Sequence, residues 1–84
     1  MTERITFDGA ADPNPGLGAF AFTHEKNGQE IYFECGYLGE NITNNNAEYE
    51  AFFRALVYCR DKGIKNISVM GDSLLVINQV QGLW

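Results

Sequence analysis

Basic side chains are scarce in this 84-residue chain: six lysines and arginines stand against eleven aspartates and glutamates, for a net charge of −5. A protein that grips nucleic acid through a cationic face carries many more, so the balance argues against strong nonspecific binding. It does not exclude a site in which bound cations bridge carboxylates and phosphates. Cysteine is equally thin. Cys35 and Cys59 are the only two; they lack metal-type spacing and are expected to be buried, reduced thiols. His24 is the single histidine, and its place near a hairpin turn, far from every motif, predicts an exposed surface residue. No apolar run approaches the ~20 residues that span a bilayer, and the N-terminus lacks a basic-then-apolar signal pattern. No membrane partner is expected, and a cytoplasmic protein is the default.

What is present suffices for a core. The hydrophobic fraction is 45% and the aromatic fraction 13%, which argues against disorder. Residues 1–84 are expected to form one small domain, burying about 60–70% of the surface its unfolded chain exposes. No internal repeat, low-complexity segment or linker interrupts it.

Alternation predicts a strand over Arg4–Asp8, with Ile5 and Phe7 on one side and Thr6 and Asp8 on the other. A turn-rich loop follows over Gly9–Gly18, then a second strand over Ala19–Thr23. Asn27-Gly28 suits a tight hairpin because both positions accept positive φ. The third strand, Glu30–Leu38, sets Ile31, Phe33, Cys35 and Tyr37 on one face. The one long helical pattern opens at Thr43-Asn44-Asn45-Asn46-Ala47-Glu48-Tyr49, where asparagine side chains can cap the helix start, and Gly63 stands where a left-handed residue would end it. Its apolar stripe takes in Phe52, Ala55, Leu56 and Cys59. A short strand over Asn66–Met70 and a second helix over Ser73–Val80 complete the pattern.

Glu48 falls on the apolar stripe, where a carboxylate is costly unless something cationic meets it. The right-handed crossover through the helix makes the fourth strand parallel to the third and lets it neighbour the first. The fold predicted is therefore α/β, a mixed sheet of order 3-2-1-4. Asp8 and Asp72 then finish on one edge, the usual place for a crevice in an α/β sheet, with Glu48 near them at the helix start. Three such carboxylates would repel one another unless divalent cations lay between them. Hard oxygen donors suit Mg²⁺, with Mn²⁺ as a substitute, and two ions can activate a water and stabilise the leaving oxygen of a phosphodiester. Taken singly, the bland readings are a turn residue for Asp8, a helix-dipole carboxylate for Glu48 and an N-cap for Asp72.

Phe7-Asp8-Gly9-Ala10 with Asn14-Pro15-Gly16, then Asn44-Asn45-Asn46-Ala47-Glu48-Tyr49, then Gly71-Asp72-Ser73 with Leu75-Val76 and Gln79, resembles the type 1 ribonuclease H family. The similarity is to its archaeal and plant reverse-transcriptase-like branch, and it covers essentially the whole chain. The resemblance implies an endoribonuclease that cuts the RNA strand of RNA–DNA hybrids by two-metal hydrolysis. It implies Asp8, Glu48 and Asp72 as catalytic metal ligands. It implies contacts to nucleic acid at Gly9, Ala10, Asn14, Asn44, Asn45 and Trp84. Asparagine both donates and accepts, which suits reading 2′-hydroxyls and base edges in a shallow groove.

The family's fold continues with further helices, a fifth strand, a mobile-loop histidine and a fourth acid, whereas this sequence has no carboxylate after Asp72. The expectations are thus a truncated piece of a longer enzyme, or a short form completed by another chain. A homodimer pairing the exposed edge of strand four would serve either. Activity of the 84 residues alone is expected to be weak or nil, and the alternative is a noncatalytic hybrid-binding or assembly module.

Overall fold

The computed structural model describes residues 3–64, 67–71 and 76–77. Its elements in chain order are β1 (Glu3–Asp12), β2 (Gly16–Lys26), β3 (Gln29–Ile42), α1 (Asn44–Lys62), β4 (Ser68–Met70) and β5 (Val76–Ile77). The sheet has the order β3-β2-β1-β4-β5. The first three strands are antiparallel, and β4 runs parallel to β1 with Arg4, Ile5 and Thr6 opposite Ser68, Val69 and Met70. The expected 3-2-1-4 order and crossover helix are therefore present. No helix among the described residues is long and apolar enough to cross a membrane.

The first two strands extend well past their expected ends. β1 continues to Asp12 and β2 begins at Gly16, so the anticipated ten-residue loop shrinks to a turn over Pro13, Asn14 and Pro15. Glycine and alanine at Gly9, Ala10, Ala11, Gly18 and Ala19 have little strand propensity, yet they pair because the neighbouring strand is already in register. At the other end Asn27 and Gly28 adopt φ of 54° and 80°, the tight hairpin expected of Asn-Gly.

α1 lies on one face of the sheet, over β1 and β2. The residues it buries are Ala47, Ala51, Ala55 and Cys59, a row repeating every four positions. Phe52 and Leu56, expected on the central stripe, flank that row and are only partly buried. Small side chains let the helix sit low on Ile5, Phe7, Phe20, Phe22, Ile67 and Val69, which with the row form the core. Burying each large apolar side chain there contributes about 1.5–3 kcal/mol. Gly63, at φ 70°, ends the helix and returns its N–H to the carbonyl of Arg60.

Four expectations need correction. His24 is buried, only 3% exposed. It lies on the face of β2 that α1 covers, where its Nε2–H donates to Glu3 (2.8 Å) and its Nδ1 sits 2.7 Å from the Tyr58 hydroxyl. Two good partners make a buried imidazole affordable there. Tyr58 in turn stacks on Tyr32 at 4.7 Å. Cys35 is exposed while Cys59 is buried. Alternation placed Cys35 with Ile31, Phe33 and Tyr37 correctly, but that whole face of β3 points away from α1. The second helix, expected over Ser73–Val80, lies mostly outside the described residues. Its described pair, Val76–Ile77, is instead a strand antiparallel to β4. β5 therefore occupies the edge of β4 that was expected to need another chain.

Burial pushes the Cys59 thiol up to about 11, with the Glu3 charge adding to the effect, and burial likewise raises the Tyr58 hydroxyl. A thiol-specific reagent at pH 8 should therefore titrate one cysteine of the native protein, Cys35, and reach Cys59 only in denaturant. A proton held more tightly by the folded state stabilises it fully below pH 9, and that stabilisation fades as pH rises toward 11. Urea melts should lose about 2 kcal/mol from Cys59 by pH 11.

Candidate active site

The site is built where β1 passes under the first turn of α1. Thr43 caps the helix, its Oγ1 accepting the Asn46 N–H at 3.0 Å. The cap is thus the threonine and not one of the three asparagines, as threonine before a helix with an amide three residues on already allowed. That releases Asn44, whose side-chain oxygen accepts the Ala11 N–H at 2.8 Å. The Asn44 N–H itself donates to the side-chain oxygen of Asn14 at 3.0 Å. Asn14, Asn44 and Asn45 are all exposed.

Two glycines set the spacing. A side chain on Gly9 would overlap the carbonyl group of Ala47 and come within 2.5 Å of the Glu48 nitrogen. At Gly71 a Cβ would run into the Phe7 ring and stand 3.0 Å from Glu48 Oε1. Backbone, helix start and the end of β4 thus meet around Glu48, which is half-buried. Asp8 is exposed on the face of β1 turned away from the helix, with Ala10 beyond it on the same side. A shallow cavity of about 180 Å³ lies beside it, lined by Thr6, Asp8, Ala21 and Thr23 among others.

The structure therefore brings together the segments bearing Asp8 and Glu48, along with Gly9, Asn14 and Asn44. Asp8 does not end its strand, as expected, but lies within it. The parallel pairing of β1 with β4 nevertheless stops at Thr6 and Met70. Asp8 is two residues past the first, and Asp72 two past the second in sequence. Asp72 and Trp84 lie outside the described residues. Among the described residues no three acidic, histidine or cysteine side chains group closely enough to hold a metal ion. The residues that sequence reasoning passed over are Thr43, Ala47 and Gly71. Their signals were a capping side chain, the four-residue repeat of small residues along the helix, and a glycine just past a strand.

Residues 6–84 match the family described as reverse transcriptase-like. A ribonuclease HI of Halobacterium salinarum is 40% identical over 78 residues, covering 93% of this chain and 39% of that enzyme. The chain thus spans about two fifths of that relative's length. Among solved structures, LC11-RNase H1 in complex with an RNA/DNA hybrid superposes with a TM-score of 0.78 at 33% identity, covering 99% of this chain and 63% of the other. RNase H1 from Halobacterium salinarum gives a TM-score of 0.77 at 35% identity, covering 100% of this chain and 64% of the other.

The packing at Gly9 is testable without substrate. Gly9→Ala forces backbone against backbone and should cost about 1–3 kcal/mol, read as a lower urea midpoint with an unchanged slope. A variant as stable as the wild type would mean that strand and helix are not in contact there.

Proposed function

This chain belongs to the reverse transcriptase-like family, and from that membership we propose that it is a ribonuclease H-type endonuclease acting on the RNA strand of RNA–DNA hybrids. The observation that carries the reading is the convergence on Glu48 of the segment after Asp8 and the glycine before Asp72. Such convergence is what a shared carboxylate site needs. The kinship with ribonucleases H, one of them solved on an RNA/DNA hybrid, supplies the substrate class.

The donor set fits hard divalent cations. Carboxylate oxygens at Asp8, Glu48 and Asp72 would hold Mg²⁺ or Mn²⁺, and nothing in the set suits a soft metal. When bound, a pair of such ions supplies an activated water and neutralises charge at the leaving oxygen of a phosphodiester. The chain's own residues do the rest. The exposed Asp8 faces solvent on the open side of the sheet, where a phosphodiester can approach. The half-buried Glu48 lies where Gly9 and Gly71 leave room for it, since a Cβ on either would crowd its backbone or its carboxylate. Exposed Asn45 offers a donor and an acceptor to a shallow, hydroxyl-bearing groove, while the side-chain oxygens of Asn14 and Asn44 are engaged within the chain. No side chain acts as a nucleophile. With a net charge of −5, the protein approaches its polyanionic substrate without cationic steering, so binding should depend strongly on divalent cations.

Cleavage of a labelled hybrid in Mg²⁺ or Mn²⁺, before and after Asp8→Asn, tests the assignment. The substitution should lower the rate by about 10³-fold, the several kcal/mol expected of a lost ligand. Activity surviving the change would remove the assignment. Intact hybrid with a clear band shift would instead identify a noncatalytic binding module.

A further inference from the structure

The two asparagines that bridge β1 and α1 use their side-chain oxygens on this protein's own backbone. Asn14 accepts the Asn44 N–H and Asn44 accepts the Ala11 N–H, at 3.0 and 2.8 Å. Thr43 caps the helix through the Asn46 N–H; Asn14 takes the Asn44 N–H, another of the helix's leading donors, and the Asn44 side chain has no part in that task. Their location explains what they do. β1 is flanked by β2 along its whole length, but its pairing with β4 covers only Arg4–Thr6. Among the described residues the parallel pairing ends at Thr6, and Ala11, buried and five residues further on, still has an N–H to satisfy. The Asn44 side chain supplies the missing acceptor, standing in for a strand.

We propose that Asn14 and Asn44 are positioning residues, which fasten the turn between β1 and β2 to the first turn of α1 and so fix Glu48 relative to Asp8. The fastening has two points. One is the hydrogen-bond relay Asn14–Asn44–Ala11; the other is the close contact of Gly9 with Ala47 and Glu48. The first lies two residues after Gly9 in the strand and three before Ala47 in the helix, so slippage at one disturbs the other. Both asparagines act here as acceptors, which a carboxylate can also do. Their amide NH₂ groups take no part in the relay.

That distinction sets the experiment, whose kinetic arm alone rests on the hybrid-cleavage reading. Asn44→Ala and Asn44→Asp are compared in the full chain, first by amide hydrogen exchange without metal or substrate. Asn44→Ala should speed exchange at Ala11 by about tenfold, the worth of one hydrogen bond, while Asn44→Asp stays near wild type. In hybrid cleavage, Asn44→Ala should lower kcat about tenfold. Asn44→Asp should keep kcat within about twofold of wild type and raise KM, because the added charge repels the hybrid while the carboxylate keeps its acceptor. Where Asn44→Ala does not fold, Asn14→Ala and Asn14→Asp carry the same comparison, with exchange read at the Asn44 N–H that Asn14 accepts. Unchanged exchange at Ala11 in the alanine variant would overturn the proposal. So would an aspartate variant that loses as much kcat as the alanine one, since the NH₂ groups would then be the operative ones. A wild-type chain that cleaves no hybrid defeats the functional reading alone and leaves the exchange comparison to decide this one.

Discussion

Everything in this structure depends on how closely β1 approaches α1. At Gly9 there is no space for even a methyl group between strand and helix, and the row Ala47, Ala51, Ala55 and Cys59 keeps the whole helix at that short distance. Dispersion forces reward such contact only when both surfaces are smooth and small. The consequence is chemical as well as structural. A carboxylate on the helix stripe, costly in an ordinary core, emerges at the start of the helix beside Gly71 instead of in the interior.

Much of this was legible in the chain. The Asn27-Gly28 hairpin, the helix end at Gly63 and the 3-2-1-4 order follow from turn chemistry, left-handed glycine and the handedness of crossovers. Glu48 drew attention because it broke a local rule, and places where local rules fail tend to be functional. What was not legible has physical reasons too. A cysteine's usual burial and a histidine's place near a hairpin turn do not say which face a helix will cover, so Cys35 was expected buried and His24 exposed, and the structure has the reverse. The extra length of β1 and β2 comes from pairing across the sheet, which small residues do not announce locally. Val76 and Ile77 carry a pattern that suits a short buried helix and a strand equally, and pairing with β4 decided between them.

Kinship sharpens these observations without replacing them. The ribonuclease H relatives share the sheet order and the crossover helix over nearly all of this chain. In this chain, low in lysine and arginine, that scaffold has short contacts at Gly9 and Gly71. Its stability is drawn from close packing around a small aromatic and aliphatic core, and its charges are left to the surface and the site.

The Thr43 cap, the Asn44 bridge and the Gly9 contact all fall within the first turn of α1. Helix ends ordinarily fray first, and local opening starts where few bonds must break. Here both ends are tied. The last turn is closed by the Gly63 and Ile64 N–H groups on the Arg60 and Cys59 carbonyls, with Cys59 buried and Ile64 packed against the core, whereas the leading turn is held to the strand beneath it. The end that carries Glu48 can therefore open only by breaking contacts with β1 as well as bonds of its own.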